Sequence, residues 1–226
     1  MSETSLREQL DDAHEKDQTL LTVCLAERLI ASGSEDAWVF EVYARSLIGI
    51  GRYGDASSAL DQAERFSARK NLPWIIHRRA VLEERRGNFE SALDLWKKAH
   101  SIKPDEASFL IFAGSILFRL GRIAEAEEFA RKGTTCSAGY PDEAWYNLAG
   151  YMAAQQRYEE ALSCYEKAIA IDPEYELAKG RRDELLRAFP KIQEGEQAGA
   201  GQPATRSESK SGGNENSNPE AEGRSR

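Results

Sequence analysis

Small residues recur along this chain at nearly constant spacing, and that repetition limits the possible folds more than any single motif does. One set is spaced by 36, 34 and 35 residues: Ala56, Ala92, Ala126 and Ala161. A second set lies twelve positions before the first: Ala44, Ala80, Gly114 and Ala149. A third set lies seven positions after the first: Ala63, Ala99, Gly133 and Ala168. Small side chains at fixed intervals are typical of helices that cross closely, so each unit is predicted to be a pair of antiparallel helices.

The segment 142–175, DEAWYNLAGYMAAQQRYEEALSCYEKAIAIDPEY, resembles the tetratricopeptide repeat almost position by position. The matching positions are Trp145, Leu148, Ala149, Tyr158, Ala161, Tyr165, Ala168 and Pro173. The resemblance implies an all-α fold, a right-handed superhelical solenoid of antiparallel helix pairs. Trp96, Trp145 and Tyr165 are expected in its core.

The same template divides the chain into successive units. Four repeats are predicted at 37–72, 73–106, 107–141 and 142–175, preceded by a degenerate helix pair at 1–36. Residues 176–190 form an amphipathic stretch that is expected to cap the end of the array. From Lys191 onward the chain is mainly Gly, Ser, Glu, Asn and Pro, so 191–226 is predicted to be a disordered tail.

Several classes of protein are disfavoured by composition and charge. The N-terminal residues are polar and acidic and contain no secretory signal. The longest apolar run, from Phe109 to Phe118, is too short to span a bilayer. Cys24, Cys136 and Cys164 lie far apart, which favours reduced thiols and a cytoplasmic location. The net charge of −8 disfavours direct binding of nucleic acid.

The sequence contains no recognisable catalytic, metal or cofactor motif. His14, His77 and His100 are not paired with one another or with cysteine at the spacing of metal ligands. Gly51, Gly87 and Gly121 share the repeat position that closes the first helix of each pair, so they are interpreted as helix C-terminal caps rather than a phosphate loop. The chain is therefore predicted not to be an enzyme and to need no cofactor.

The resemblance implies that the first helix of each repeat lines a concave, partner-binding groove. The family positions that carry over as groove residues are Trp38, Arg45, Trp74, His77, Arg85, Ile111, Phe118, Arg119, Tyr146 and Asn147. Trp38, Trp74 and Phe118 are equally suited to packing against a neighbouring unit, whereas Tyr146 is the stronger candidate for a ligand contact. Members that clamp carboxylate-ended tails of heat-shock chaperones use Lys, Asn and Arg there; here only Asn147 resembles a clamp residue, so that clamp is predicted to be absent.

The predicted function is a scaffold or adaptor that binds a peptide segment of another protein in this groove. One alternative is a small export or assembly chaperone, because the chain also resembles the three-repeat secretion chaperones of bacteria. Another is a structural subunit of a larger enzyme or membrane-associated complex that uses the outer face and the basic end around Lys179, Arg182 and Arg187. The sequence leaves open the oligomeric state and whether the N-terminal segment fills the groove.

Overall fold

The computed structural model describes residues 3–190, and within this range the helices are joined by turns and loops, without β-strands. The helices are α1 Glu3–Glu15, α2 Thr19–Ala31, α3 Ala37–Gly49, α4 Tyr53–Phe66, α5 Leu72–Arg85, α6 Phe89–Ile102, α7 Ser108–Arg119, α8 Ile123–Gly133, α9 Pro141–Ala154, α10 Tyr158–Ile171 and α11 Glu176–Ala188. A short 3₁₀ turn, Arg69–Asn71, precedes α5. The predicted all-α solenoid is confirmed, whereas the predicted disordered tail, 191–226, lies outside the described residues.

Each helix packs mainly against its neighbours in the chain. Helices α1 and α2, α3 and α4, α5 and α6, α7 and α8, and α9 and α10 form antiparallel pairs, and each second helix then contacts the first helix of the next pair. The first helices also contact one another, α3 with α5 and α7 with α9. Since each pair buries its apolar surface on the adjacent pair, the core runs along the length of the array.

The recurring small residues are the crossing points of the helices. Ala56, Ala92, Ala126 and Ala161 all have an exposed fraction of 0%. Trp96 and Tyr165 are buried as expected, but Trp145 is only half-buried, and the Lys167 ammonium lies 4.3 Å from the centre of its ring. The expectation that Trp145 belongs to the core is therefore wrong.

The turn inside each helix pair requires one residue with left-handed backbone geometry. Gly51, Gly87 and Gly121 have φ angles of 79°, 82° and 76°. The equivalent residues of the first and last pairs are Asp17 and Gln156, with φ angles of 51° and 61°. Glycine adopts this geometry without steric cost, whereas a side chain brings Cβ close to the following carbonyl. The turn between α1 and α2 therefore has the same backbone geometry as the turns of the later pairs.

Arginines at the start of the second helices tie neighbouring pairs together. Arg157 donates from Nη1 to Glu127 of the preceding pair at 2.8 Å and from Nη2 to Glu160 of its own helix at 2.6 Å. Arg122 makes the same two links, to Glu90 and to Glu125, each at 2.7 Å. Arg52 likewise bonds Glu27 and Asp55. These arginines place an ion-pair link between successive second helices.

Among residues 3–190, no helix is long and apolar enough to cross a membrane.

Candidate functional site

An open groove of about 620 Å³ lies between the first helices α7 and α9 and the terminal helix α11, with α10 behind it. We call it the C-terminal groove. Its lining consists of Ser115, Phe118, Arg119, Tyr146, Asn147, Gly150, Tyr151, Ala153, Tyr165, Arg181, Glu184, Leu185, Ala188 and Phe189. Four of the ten groove residues predicted from the sequence therefore meet here, namely Phe118, Arg119, Tyr146 and Asn147.

Helical spacing places the α9 residues on the groove. Gly150 is four positions after Tyr146 and three after Asn147, so it lies on the same face of the helix as these two side chains. Gly150 has no side chain, and a Cβ built on it would meet nothing within 4 Å. The groove is thus open above Gly150, with Tyr146 and Asn147 beside the gap.

Aromatic side chains make up much of the groove surface. Phe118 is 37% exposed and stacks on Tyr151, with ring centres 4.9 Å apart. Tyr146 lies tilted against Tyr165, with ring centres 5.8 Å apart. Burial raises the pKa of Tyr151 and of Tyr165 to about 12, so both hydroxyls stay neutral at physiological pH. Tyr151 and Tyr165 are themselves buried, so Phe118 and the half-buried Tyr146 provide the accessible part of this aromatic surface.

Helix α11 supplies one wall of the groove, a role that sequence reasoning missed because it treated this helix only as a cap. Leu185, Ala188 and Phe189 line the groove, and Phe189 stacks on Tyr158 with ring centres 4.0 Å apart. The four-residue spacing of Leu185 and Phe189 is the signal that could have indicated a groove-facing stripe.

Two arginines lie at the edges of the groove, and each is held by a carboxylate. Arg119 donates from Nη1 to Glu84 Oε1 at 2.7 Å. Arg181 donates from Nη1 to Glu184 Oε2 at 2.9 Å, and its hydrogen bond to the Tyr146 side chain raises the pKa of the guanidinium. The edges of the groove therefore carry two ion pairs, whose remaining guanidinium N–H groups can donate to a ligand, and aromatic rings lie between them.

Two of the predicted groove residues are buried, which corrects the positions carried over from the family. His77 is 7% exposed and accepts a hydrogen bond on Nδ1 from Trp96 Nε1 at 3.0 Å. Burial lowers the pKa of His77 to about 3. Ile111 is 5% exposed and packs with Ala107 and Ala144. Both side chains are part of the interior and are not available to a partner.

The remaining predicted residues lie on α3 and α5, outside the C-terminal groove. Trp38 is half-buried beneath the Arg7 guanidinium, whose carbon lies 3.3 Å from the centre of the indole ring. Trp74 is half-buried against Phe109, with ring centres 5.2 Å apart. Both tryptophans thus pack within the array, which is the structural alternative considered above. Arg45 and Arg85 are exposed on α3 and α5.

The described residues provide little for metal binding or thiol chemistry. Between residues 3 and 190, no group of three or more His, Cys, Asp and Glu side chains is arranged to hold a metal ion. Burial raises the pKa of the Cys136 and Cys164 thiols, which disfavours the reactive thiolate form of both. The absence of catalysis and of cofactors stays a prediction.

Comparison with known proteins identifies repeats between residues 77 and 175. Two family models, both described as tetratricopeptide repeat, match residues 77–141 and 142–175. Human tetratricopeptide repeat protein 7A is 30% identical over 102 residues, which are 43% of this chain and 11% of that protein. Anaphase-promoting complex subunit 3 of Schizosaccharomyces pombe is 22% identical over 109 residues, or 48% of this chain and 16% of that protein. The chain thus spans about a tenth to a sixth of the length of these relatives.

Solved structures share the fold at low sequence identity. The C-terminal part of a TPR repeat-containing protein from Cytophaga hutchinsonii has a TM-score of 0.64 at 13% identity, covering 82% of this chain and 72% of that one. A thermophilic TPR protein of Thermus thermophilus has a TM-score of 0.59 at 20% identity, and the match covers 82% of this chain and 99% of that one. YrrB, described as a TPR protein with an unusual peptide-binding site, has a TM-score of 0.52 at 17% identity, covering 77% and 88%.

Proposed function

We propose that this chain, which belongs to the tetratricopeptide repeat family, binds a segment of another protein in its C-terminal groove. The family fold supports a role in protein-protein interaction, because a solenoid presents an extended surface to macromolecular partners. The finer proposal is that the bound segment is a peptide with at least one bulky apolar side chain.

The observation that carries this proposal is the convergence of Phe118, Tyr146, Tyr151 and Phe189 around an open space of about 620 Å³. Of these four rings, Phe118 and Phe189 are exposed, Tyr146 is half-buried and Tyr151 is buried beneath Phe118. Exposed aromatic side chains are common where proteins bind partners, since a few anchors in desolvated pockets provide most of the binding energy. Arg119 and Arg181 at the edges add hydrogen-bond donors that fix the orientation of a bound segment.

The N-terminal segment does not supply the lining of this groove. Helices α1 and α2 pack against each other and against α3, where Leu10, Leu29 and Val39 form a core of their own. The groove residues come instead from α7, α9, α10 and α11 or directly follow α11. This arrangement favours an external ligand over occupation by residues 3–36. The peptide-binding site named for YrrB supports the proposal by analogy only.

Filling the groove provides the test. Gly150→Leu places a side chain in the open space, and a Cβ there meets nothing within 4 Å, so the helix tolerates the change. Gly180→Leu in α11 is the matched control, because Gly180 is also in a helix with nothing within 4 Å but does not line the groove. Peptides are first selected from a displayed random library on the full chain, and their affinities are then measured by fluorescence anisotropy.

We expect Gly150→Leu to lower the affinity for the selected peptides at least about tenfold, as loss of a central anchor site does. Gly180→Leu should leave their affinity unchanged, and both variants should melt at or above the parent temperature. Equal affinity of the peptides for Gly150→Leu and Gly180→Leu would refute the proposal. Such a result would favour the structural-subunit alternative, in which the outer surfaces make the contacts, over both the scaffold and the export chaperone.

A further inference from the structure

The face of α9 that borders the C-terminal groove also carries an acidic side chain, Glu143, one turn before the lining residues. It lies three positions before Tyr146, four before Asn147 and seven before Gly150, so it is on the same face of the helix as these groove residues. Its side chain is half-buried. We call the region formed by Glu143, Tyr146 and Tyr175 the acidic end of the groove.

Glu143 has no cationic partner within the described chain. Among residues 3–190, its carboxylate takes part in no hydrogen bond or ion pair. Burial, followed by the charge of the neighbouring Asp142, raises the pKa of the carboxyl group, and no positive charge of the described residues opposes them. The carboxylate has therefore lost water without gaining a hydrogen-bond donor, which is unfavourable in the free chain.

The charged side chains that line the groove are already matched in pairs. Arg119 Nη1 lies 2.7 Å from Glu84 Oε1, and Arg181 Nη1 lies 2.9 Å from Glu184 Oε2. Neither arginine contributes to the pKa shift of Glu143. The unmatched charge on this face of α9 is therefore negative.

Two tyrosine rings accompany the carboxylate. The ring centres of Tyr146 and Tyr175 lie 5.3 Å apart, with 44° between the ring planes, and both side chains are half-buried. Burial, followed by the charge of Glu143, raises the pKa of Tyr175, so its hydroxyl stays neutral at physiological pH. The carboxylates of Asp142 and Asp172 add to the negative field at Tyr175. Such surroundings suit a cation, because both the ring faces and the carboxylate attract it.

We propose that the partner segment carries a lysine or arginine side chain that pairs with Glu143, with Tyr146 and Tyr175 as its aromatic contacts. The inference rests on the proposed function and specifies its ligand, which combines a bulky apolar side chain in the groove with a basic side chain at the acidic end. The carboxylate offers two acceptor oxygens, and the basic side chain supplies the donors that Glu143 lacks. This contact is opposite in charge to the clamp considered above, which holds carboxylates.

The alternative is a purely structural role for Glu143. The residue lies in the first turn of α9, where a negative charge stabilises the helix through its dipole. Glu159 provides a matched control, because it lies in the first turn of α10, is exposed and does not line the groove. Glu159→Gln thus removes the same charge from the same part of a helix without changing the acidic end of the groove.

Affinities of paired peptides test the contact. Each peptide selected on the full chain is made with its basic residue and with Gln in that place, and every peptide is acetylated at its N-terminus. We expect Glu143→Gln to lower the affinity for the basic peptide about tenfold, as loss of a hydrogen bond between charged groups does, and to leave the affinity for the Gln peptide unchanged. Glu159→Gln should change neither affinity. Equal effects of the two substitutions, or selected peptides without basic residues, would overturn the inference.

Thermal melting of the free chain separates recognition of a ligand from the structural alternative and needs no peptide. Glu143→Gln removes a half-buried charge together with its dipole interaction, whereas Glu159→Gln removes the dipole interaction alone. At neutral pH, Glu143→Gln should therefore melt at a higher temperature than Glu159→Gln. An equal or lower melting temperature would mean that Glu143 already stabilises the free chain, and it would contradict the proposal.

The two proposals fail in different ways. If the selected peptides lose affinity with Gly150→Leu but respond equally to Glu143→Gln and Glu159→Gln, the groove proposal stands and the cation contact is refuted. If Glu143→Gln lowers the affinity for the basic peptides while Gly150→Leu has no effect, the contact with Glu143 stands and the placement of the partner segment in the C-terminal groove is refuted.

Discussion

Lowering the pH from about 7 to about 5 is expected to destabilise the pair α5 and α6 through His77. This histidine is 7% exposed and is surrounded by aromatic rings; the ring centre of Phe112 lies 4.8 Å away and that of Phe109 5.9 Å away. Its Nδ1 accepts a hydrogen bond from Trp96 Nε1, so the folded state needs the neutral imidazole. Protonation of Nδ1 removes this hydrogen-bond acceptor and also places a positive charge in a site that water does not reach.

The size of the effect follows from the two pKa values of the imidazole. In the folded chain burial lowers the pKa to about 3, whereas in the unfolded chain it returns to its ordinary value of 6.5. The unfolded state therefore binds the extra proton first, and stability is complete above pH 6.5 and falls continuously towards pH 3. Each pH unit within this window is worth about 1.4 kcal/mol, so the step from pH 7 to pH 5 removes about 2 kcal/mol.

Urea unfolding at the two pH values measures the loss, and native-state hydrogen exchange of α5 and α6 shows where it occurs. The control is His77→Gln, which retains a side-chain acceptor for Trp96 and does not titrate. His77→Gln should lose about 2 kcal/mol less than the parent over the same pH step, because the contribution of His77 is absent. If both proteins lose the same free energy of unfolding between the two pH values, the argument from burial is refuted.

Two further predictions concern stability. The Glu127 side chain is only 13% exposed, which opposes ionisation, but hydrogen bonds from Gln155, Arg157 and Arg131 lower its pKa to about 2. Glu127→Gln should therefore cost about 1–3 kcal/mol in urea unfolding. Glu128→Gln, at an adjacent side chain that is 63% exposed, should cost less than about 0.5 kcal/mol, and similar losses for both would contradict this explanation. Gln156 has a left-handed φ of 61°, which glycine adopts without steric cost, so Gln156→Gly should stabilise the chain by about 1 kcal/mol and raise its melting temperature. Gly121→Ala should have the opposite effect. A lower melting temperature for Gln156→Gly would refute the reasoning.

The fold could be predicted from the sequence because its determinants are local and repeated. The small residues at Ala92 and Ala161 lie where helices cross, and Gly51 and Gly87 have the positive φ that a C-terminal cap requires. Each of these signals depends on residue size or backbone freedom alone. The turn at Asp17 was harder to recognise, because a non-glycine residue occupies the same left-handed position.

The candidate site could be predicted only in part because side-chain depth depends on neighbouring units. His77 and Phe118 both occupy first helices, yet Trp96 and Phe112 cover His77, whereas Phe118 stays at the surface. Such covering depends on side chains far away in the sequence. The contribution of Phe189 depends on how the terminal helix lies against the last pair, which residue patterns within that helix do not specify.

The arginine links between successive second helices affect how the array unfolds at high ionic strength. Because the contacts of Arg122 and Arg157 with Glu90 and Glu127 cross from one pair to the next, they contribute to the nearest-neighbour coupling that makes a linear array melt as one body. Mobile ions weaken charge pairs at the surface while leaving hydrophobic burial within each pair intact. Concentrated salt should therefore weaken the coupling between pairs only by the small contribution of these charge contacts, while the apolar contacts within and between pairs persist.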